Sequence, residues 1–196
     1  MYTKIRTLTK TTTDIELIKD IRKGNKESFT QLYKRYYRLH MLTCLRYVKN
    51  RPEAEDLLQE ACIKIFKDLH QFDPEKGKYI NWSNRVTINV CLQYLRKNNI
   101  LSNFDNIVDI KEEKFSEQPK AIENLNLKDL TDLIVNLPKG YRTIFNMYVV
   151  DGFNHREIAE QLGITENTSK TQLMKARKAL RFKISQTEKS QKGNYA

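Results

Sequence analysis

The sequence predicts an all-α protein: two small helical domains joined by a flexible linker, the C-terminal one a helix-turn-helix. Three observations predict it. Apolar residues recur every three or four positions, and no stretch alternates with the period of two that a half-buried strand requires. Gly (6) and Pro (4) are scarce among 196 residues, against the many turns of a sandwich or barrel. Charge partitions along the chain: residues 1–13 carry +3, 14–100 carry +6, 101–124 carry −3 and 125–196 carry +5. The division expected is a disordered arm over 1–13, a helical domain over 14–100, an acidic linker over 101–124 that holds Pro119, a helix-turn-helix domain over 125–183 and a disordered polar tail over 184–196.

The helices follow in order. Asp14 can cap a first helix whose Ile15, Ile18 and Ile21 share a face, with Gly24 to end it. A second runs from about Lys26 to Val48, with Phe29, Leu32, Tyr33, Tyr36 and Tyr37 as its apolar stripe. Pro52 suits the first turn of a third helix, which reaches about Leu69. At 100° per residue, Ala54, Leu58, Ala61, Ile65 and Leu69 face one way. Asp56, Gln59 and Glu60 face the other, with Ile63 and Lys67 beside them. An acidic patch next to an outward isoleucine does not suit DNA; it suits a protein partner with basic groups, or is an ordinary solvated face.

A fourth helix spans about Tyr79 to Asn98. Trp82, Arg85, Asn89, Gln93, Arg96 and Lys97 fall in one broad stripe, and the preceding loop brings Phe72, Lys76 and Lys78. Basic groups neutralise phosphates, Asn and Gln pair with base edges, and Trp or Tyr stacks on an unstacked base. That mixture suits separated strands better than an intact duplex. The alternative is Trp82 as a core anchor under a wet surface.

In the C-terminal block, a helix from about Leu125 to Asn136 stops before Pro138, and another runs from about Tyr141 to Val150. The stretch His155 to Lys170 then reads as a helix-turn-helix. Ala159 is small at the crossing, and Gly163 takes the turn. Ile158, Leu162 and Ile164 pack the pair, and Thr165 caps the next helix. From Thr168 to Lys183 that helix has six basic residues and no acidic one. Ser169, Leu173, Ala176 and Leu180 form its inner face; Lys170, Thr171, Lys175, Lys178 and Arg181 point outward, as a major-groove helix requires.

A net charge of +11 attracts polyanions, of which nucleic acid is the commonest; an anionic membrane surface is the other reading. No stretch approaches the roughly 20 apolar residues of a membrane span, and the Thr-rich basic start is no secretory signal, so a cytoplasmic protein is expected. Cys44, Cys62 and Cys91 are widely spaced and read as reduced core residues. No metal site and no cofactor are expected. His40, His70 and His155 with the cysteines offer His40 and Cys44 one turn apart, and no second pair completes four ligands. A glycine-rich phosphate loop is lacking too. A metal-dependent hydrolase is therefore disfavoured, and no enzyme is expected.

Both halves together, from about Glu16 to Lys183, resemble the extracytoplasmic-function group of sigma factors. The run Glu55 to Glu60 is similar to the segment that binds the clamp helices of RNA polymerase, which implies core-polymerase binding by Asp56, Gln59, Glu60 and Ile63. Tyr79, Trp82, Arg85 and Asn89, followed by Tyr94 to Lys97, resemble the helix that recognises and opens the −10 element. The implied −10 set is Phe72, Lys76, Lys78, Tyr79, Trp82, Arg85, Asn89, Arg96 and Lys97. Glu157 to Ile164, with Thr168, Lys170, Lys175 and Arg177, resembles the module that reads the −35 element; its implied set is Thr165, Asn167, Thr168, Lys170, Thr171, Lys175, Arg177 and Lys178. The resemblance implies three partners: core RNA polymerase, promoter DNA and an anti-sigma factor, which in this group is often membrane-bound. It also implies that the acidic linker threads towards the active-site cleft and RNA exit path. Gln93 stands where the group often has Asp, and Ser83 and Ser169 replace common apolar residues. A stand-alone helix-turn-helix regulator is the rival reading; it explains 141–183 but leaves the N-terminal block idle. A gel shift without polymerase separates the two, since only the regulator needs no core enzyme.

Overall fold

The structure, a computed structural model, describes residues 12–98 and 127–192, among which there are eight α-helices and no strand. The expected linker over 101–124 and all but two residues of the expected arm lie outside the described residues. Helix α1 (Asp14–Arg22) is capped by Thr13 rather than by the expected Asp14. Thr13 forms a reciprocal box with Glu16: Glu16 N–H donates to Thr13 Oγ1 at 3.3 Å and Thr13 N–H to Glu16 Oε2 at 2.7 Å. Asp14 is thereby freed to accept from Arg35 and Tyr36 of the next helix.

Helix α2 (Lys26–Val48) starts on Asn25, whose Oδ1 accepts from Glu27 and Ser28 N–H. Helix α3 (Arg51–Asp68) has Pro52 in its first turn and buries Ala54, Leu58, Ala61 and Ile65, as its periodicity predicts. Two short 3₁₀ turns, Leu69–Gln71 and Pro74–Lys76, lead to α4 (Tyr79–Lys97). Helices α2, α3 and α4 pack on one another and α1 lies across α2.

In the C-terminal half, α5 (Leu127–Val135) and α6 (Lys139–Phe145) flank Pro138, and α6 widens into a π turn over Asn146–Val150. Helix α7 (His155–Leu162) has a capping box of Asn154 and Glu157 and ends on Gly163, whose φ of 67° is the left-handed conformation glycine takes without strain. Thr165 Oγ1 then accepts from Thr168 N–H at 3.0 Å and starts α8 (Glu166–Lys192). One expectation needs correcting. The tail was expected to be disordered from 184, but α8 continues to Lys192. Ile184 is buried and extends the inner row of Leu173, Ala176 and Leu180 by one further turn. A single apolar residue in a polar stretch carries too little periodicity to be read as helix.

The buried residues form two clusters. The smaller one joins α1, the start of α2, the end of α3, Phe72 and Tyr79. The larger one runs from α2, α3 and α4 without a break into α5 to α8. The halves therefore touch: α2 packs on α5 and α6, and α4 packs on α7.

Candidate nucleic-acid interface

The outward face of α3 is the simplest surface. Asp56, Gln59 and Glu60 are exposed, and Ile63 is 57 % exposed with Phe66 beside it. The inner face, with Ala54, Leu57, Leu58, Ala61 and Ile65, packs α3 on the bundle, and these side chains lie off it. Leu39 and Leu42 of α2 are also exposed. An acidic patch bordered by bare apolar side chains suits a protein surface with basic groups and an apolar crevice.

The α4 surface departs from its sequence-level picture in two residues. Phe72 and Tyr79 are each 5 % exposed and belong to the core. Their rings meet edge-on at 5.7 Å and both lean on Trp82, at 5.6 and 5.9 Å. They hold the indole and do not themselves face solvent, since two aromatic rings next to a short loop gain more from burial than from display. Trp82 is half-buried between the two readings, its inner edge packed on the core. It borders a cavity of about 610 Å³ together with Lys76, Lys78, Asn81 and Arg85. Lys76, Lys78, Arg85, Arg96 and Lys97 are exposed and Asn89 is half-buried. Asn81 and Asn84 also line the cavity and were missed by sequence reasoning, because isolated amides carry no periodic signal.

The cavity is also bounded by Val150 and Asp151, from the other half. Arg85 lies 3.7 Å over the Phe153 ring, with Nη2 3.9 Å from Glu157 Oε1. Arg96 donates to the Gln161 carbonyl at 3.1 Å. Thus α7 lies against part of the α4 stripe.

On α8, Asn167, Lys170, Thr171 and Arg177 are exposed, and Thr168, Lys175 and Lys178 are half-buried. The Thr165 hydroxyl is engaged by its capping bond and by Thr168 Oγ1 at 2.9 Å. Met174, 63 % exposed amid this basic row, escaped the sequence reading. With Tyr148, Lys170, Arg177, Lys178 and Arg181 it lines an open cavity of about 550 Å³. Ser169 points inward, as expected, and shares a 2.8 Å hydrogen bond with His155 Nδ1. The His155 ring stacks on Tyr148 at 4.4 Å. Burial first, then the Lys170 and Arg177 charges against an opposing Glu166, hold His155 below its ordinary pKa.

Among the described residues no group of three or more His, Cys, Asp or Glu is placed to hold a metal ion, and no helix is long and apolar enough to cross a membrane.

Comparisons with known proteins agree on both halves. The family model described as Sigma-70 region 2 matches residues 32–100, and Sigma-70, region 4 matches 127–180. The ECF RNA polymerase sigma factor SigW of Bacillus subtilis is 29 % identical over 177 residues, covering 85 % of this chain and 94 % of that protein. The ECF RNA polymerase sigma-E factor of Haemophilus influenzae is 26 % identical over 183 residues, covering 88 % and 95 %. The RNA polymerase sigma-H factor of Pseudomonas aeruginosa is 25 % identical over 182 residues, covering 85 % and 91 %. Among solved structures, the sigma factor RpoE in complex with the anti-sigma factor NepR from Bartonella quintana aligns at 19 % identity and a TM-score of 0.48, over 82 % of this chain and 98 % of that one.

Proposed function

The chain belongs to the extracytoplasmic-function group of the sigma-70 family, and we propose that it binds core RNA polymerase, recognises the −10 and −35 promoter elements and directs DNA-templated initiation of transcription. The observation that carries this reading is the pairing of both sigma-70 regions with two basic helical halves, one of which displays an acidic and apolar face on α3.

Each surface takes one task. Asp56, Gln59, Glu60 and Ile63 dock on core polymerase. Asn167, Lys170, Thr171 and Lys175 at the start of α8 enter the −35 major groove, with Arg177 and Lys178 on its phosphates. On α4, Trp82 lines a cavity large enough for an unstacked base, with amides to meet its edge and Lys76, Lys78 and Arg85 beside it; Arg96 and Lys97 further along α4 hold the strand. Phe72 and Tyr79 act through Trp82, as positioning residues. Strand opening draws on binding energy shared with polymerase, not on nucleotide hydrolysis. The negative linker over 101–124 imitates a nucleic-acid backbone and occupies a basic channel until RNA displaces it. Deletion of 104–118 is therefore expected to change promoter escape. The protein works where polymerase and chromosome are, in the cytoplasm, and an anti-sigma factor is its expected antagonist.

The test is a pull-down of core polymerase by this protein and by Asp56→Ala/Glu60→Ala. Both residues are exposed, so the variant is expected to keep its melting temperature and lose at least about ten-fold in affinity. Equal retention of polymerase by both proteins would count against the docking face.

A further inference from the structure

We propose that α1 sets the orientation of Trp82: Arg22 grips the loop that leads into α4, and through Phe72 and Tyr79 this grip fixes the indole for capture of an unstacked base. The capture step rests on the promoter reading above; the grip on Trp82 does not.

Helix α1 ends before residue 32, where the match to Sigma-70 region 2 begins. Its inner residues Leu17, Ile18 and Ile21 share a buried cluster with Leu69, Phe72 and Tyr79, and Trp82 packs against that cluster. Apolar burial is non-directional, so it holds these side chains together without fixing the path of a short loop. Direction comes from hydrogen bonds at the two ends of α1.

At the C-terminal end, Arg22 Nη2 donates to the Leu69 carbonyl at 3.2 Å and to the Phe72 carbonyl. Leu69 is the C-cap of α3, where the last carbonyls have no partner within the helix and the helix dipole is negative. A guanidinium suits that position. Its charge meets the dipole, and one nitrogen with two N–H groups spans carbonyls three residues apart. Those two carbonyls bracket the 3₁₀ turn Leu69–Gln71. Holding the Phe72 backbone sets its ring against Trp82, 5.6 Å away.

At the N-terminal end, Asp14 accepts from Arg35 and from the Tyr36 hydroxyl. The Tyr36 ring lies 5.5 Å from Tyr79, which lies 5.9 Å from Trp82. Two routes therefore leave α1 and converge on the two rings that support the indole. Arg22 is itself exposed, so replacing it opens no cavity. What its loss removes is direction, not burial. Arg22 is thus a positioning residue, acting on the strand through Trp82.

Trp82 is the only tryptophan of the chain, so tryptophan fluorescence reports this one ring. In the full-length protein, Arg22→Met keeps an unbranched stem and removes the donors. It is expected to retain helix content, to shift the Trp82 emission to longer wavelength and to raise its quenching by acrylamide about two-fold. The second readout uses core polymerase and a promoter found among genomic fragments. Initial binding of the duplex is expected to stay unchanged, while opening, followed by permanganate reactivity of unpaired thymines, slows roughly ten-fold. Arg22→Lys, which keeps the charge without the planar pair of donors, is expected to recover part of both. Lys23→Met, which removes the adjacent exposed charge, is expected to move neither. Unchanged emission and quenching in Arg22→Met overturn the grip on Trp82, and so does an equal change in Lys23→Met. A moved indole with opening unchanged overturns its role in strand capture. Should Arg22→Met lose helix content, Arg22→Gln is read by the same outcomes. A moved indole, in a protein that gives no promoter-specific starts with core polymerase, upholds the grip and sinks the promoter reading.

Discussion

His40 is buried against α4, where Thr87 already donates its hydroxyl to the Ser83 carbonyl at 3.0 Å. The Thr87 oxygen is left as an acceptor, so His40 Nδ1 carries the proton that reaches it at 3.2 Å. Burial pushes the His40 pKa down to about 4. A histidine whose folded pKa lies below its unfolded value contributes stability that is fully present above about pH 6.5 and lost as pH falls towards 4. The loss is about 3 kcal/mol. Thermal melts between pH 7 and 4 are expected to show it, and His40→Gln to flatten it; an equally steep fall in the variant contradicts the assignment. The same scale explains two departures from the family pattern. Ser83 is fully buried and its hydroxyl returns to the Ile80 carbonyl; Ser169 meets His155. A small polar residue was legible at both positions, but its partner was not, because His155 and Ser169 lie 14 residues apart with no repeating spacing between them.

At the scale of elements, the helix-turn-helix was the most readable part of the chain. Its cap, its glycine turn and its inner apolar row are all local signals, and all three stand where the spacing puts them. Gly163 is expected to tolerate alanine in space, since a Cβ there meets nothing within 4 Å, yet to lose about 1 kcal/mol to the left-handed backbone. Denaturant titration of Gly163→Ala reads this directly. Leu173→Ala, inside the motif, is expected to cost about 2–5 kcal/mol. For the outward row the expected effect is on binding alone. Lys178→Ala weakens promoter binding by the holoenzyme across sequences and reduces the salt slope by roughly one charge; an unchanged slope removes Lys178 from the phosphate contacts. The −10 surface was less legible. Its basic residues were found by composition, but Phe72 and Tyr79 look alike in sequence whether they support a tryptophan or face solvent, and only packing separates these cases.

For the whole molecule, the contact between the halves is what the sequence concealed. Arg46, Tyr47, Arg142, Asn146 and Asp151 belong to no periodic pattern that links them, and their pairing spans about a hundred residues of chain. Charge partition, by contrast, was legible at once and separates two basic halves, the proposed readers of −10 and −35. Net charge alone is compatible with a membrane surface; the two family regions put polymerase among the partners, and the acidic face on α3 is the surface proposed to meet it. The proposed reading makes the protein a reader of DNA as a subunit of polymerase, not by itself. The central claim is tested most directly by transcription in vitro from genomic fragments with core RNA polymerase, with and without this protein. The account predicts new, discrete start sites that appear only when the protein is added and that vanish with Asp56→Ala/Glu60→Ala. Transcription that stays unspecific with the protein present would contradict it.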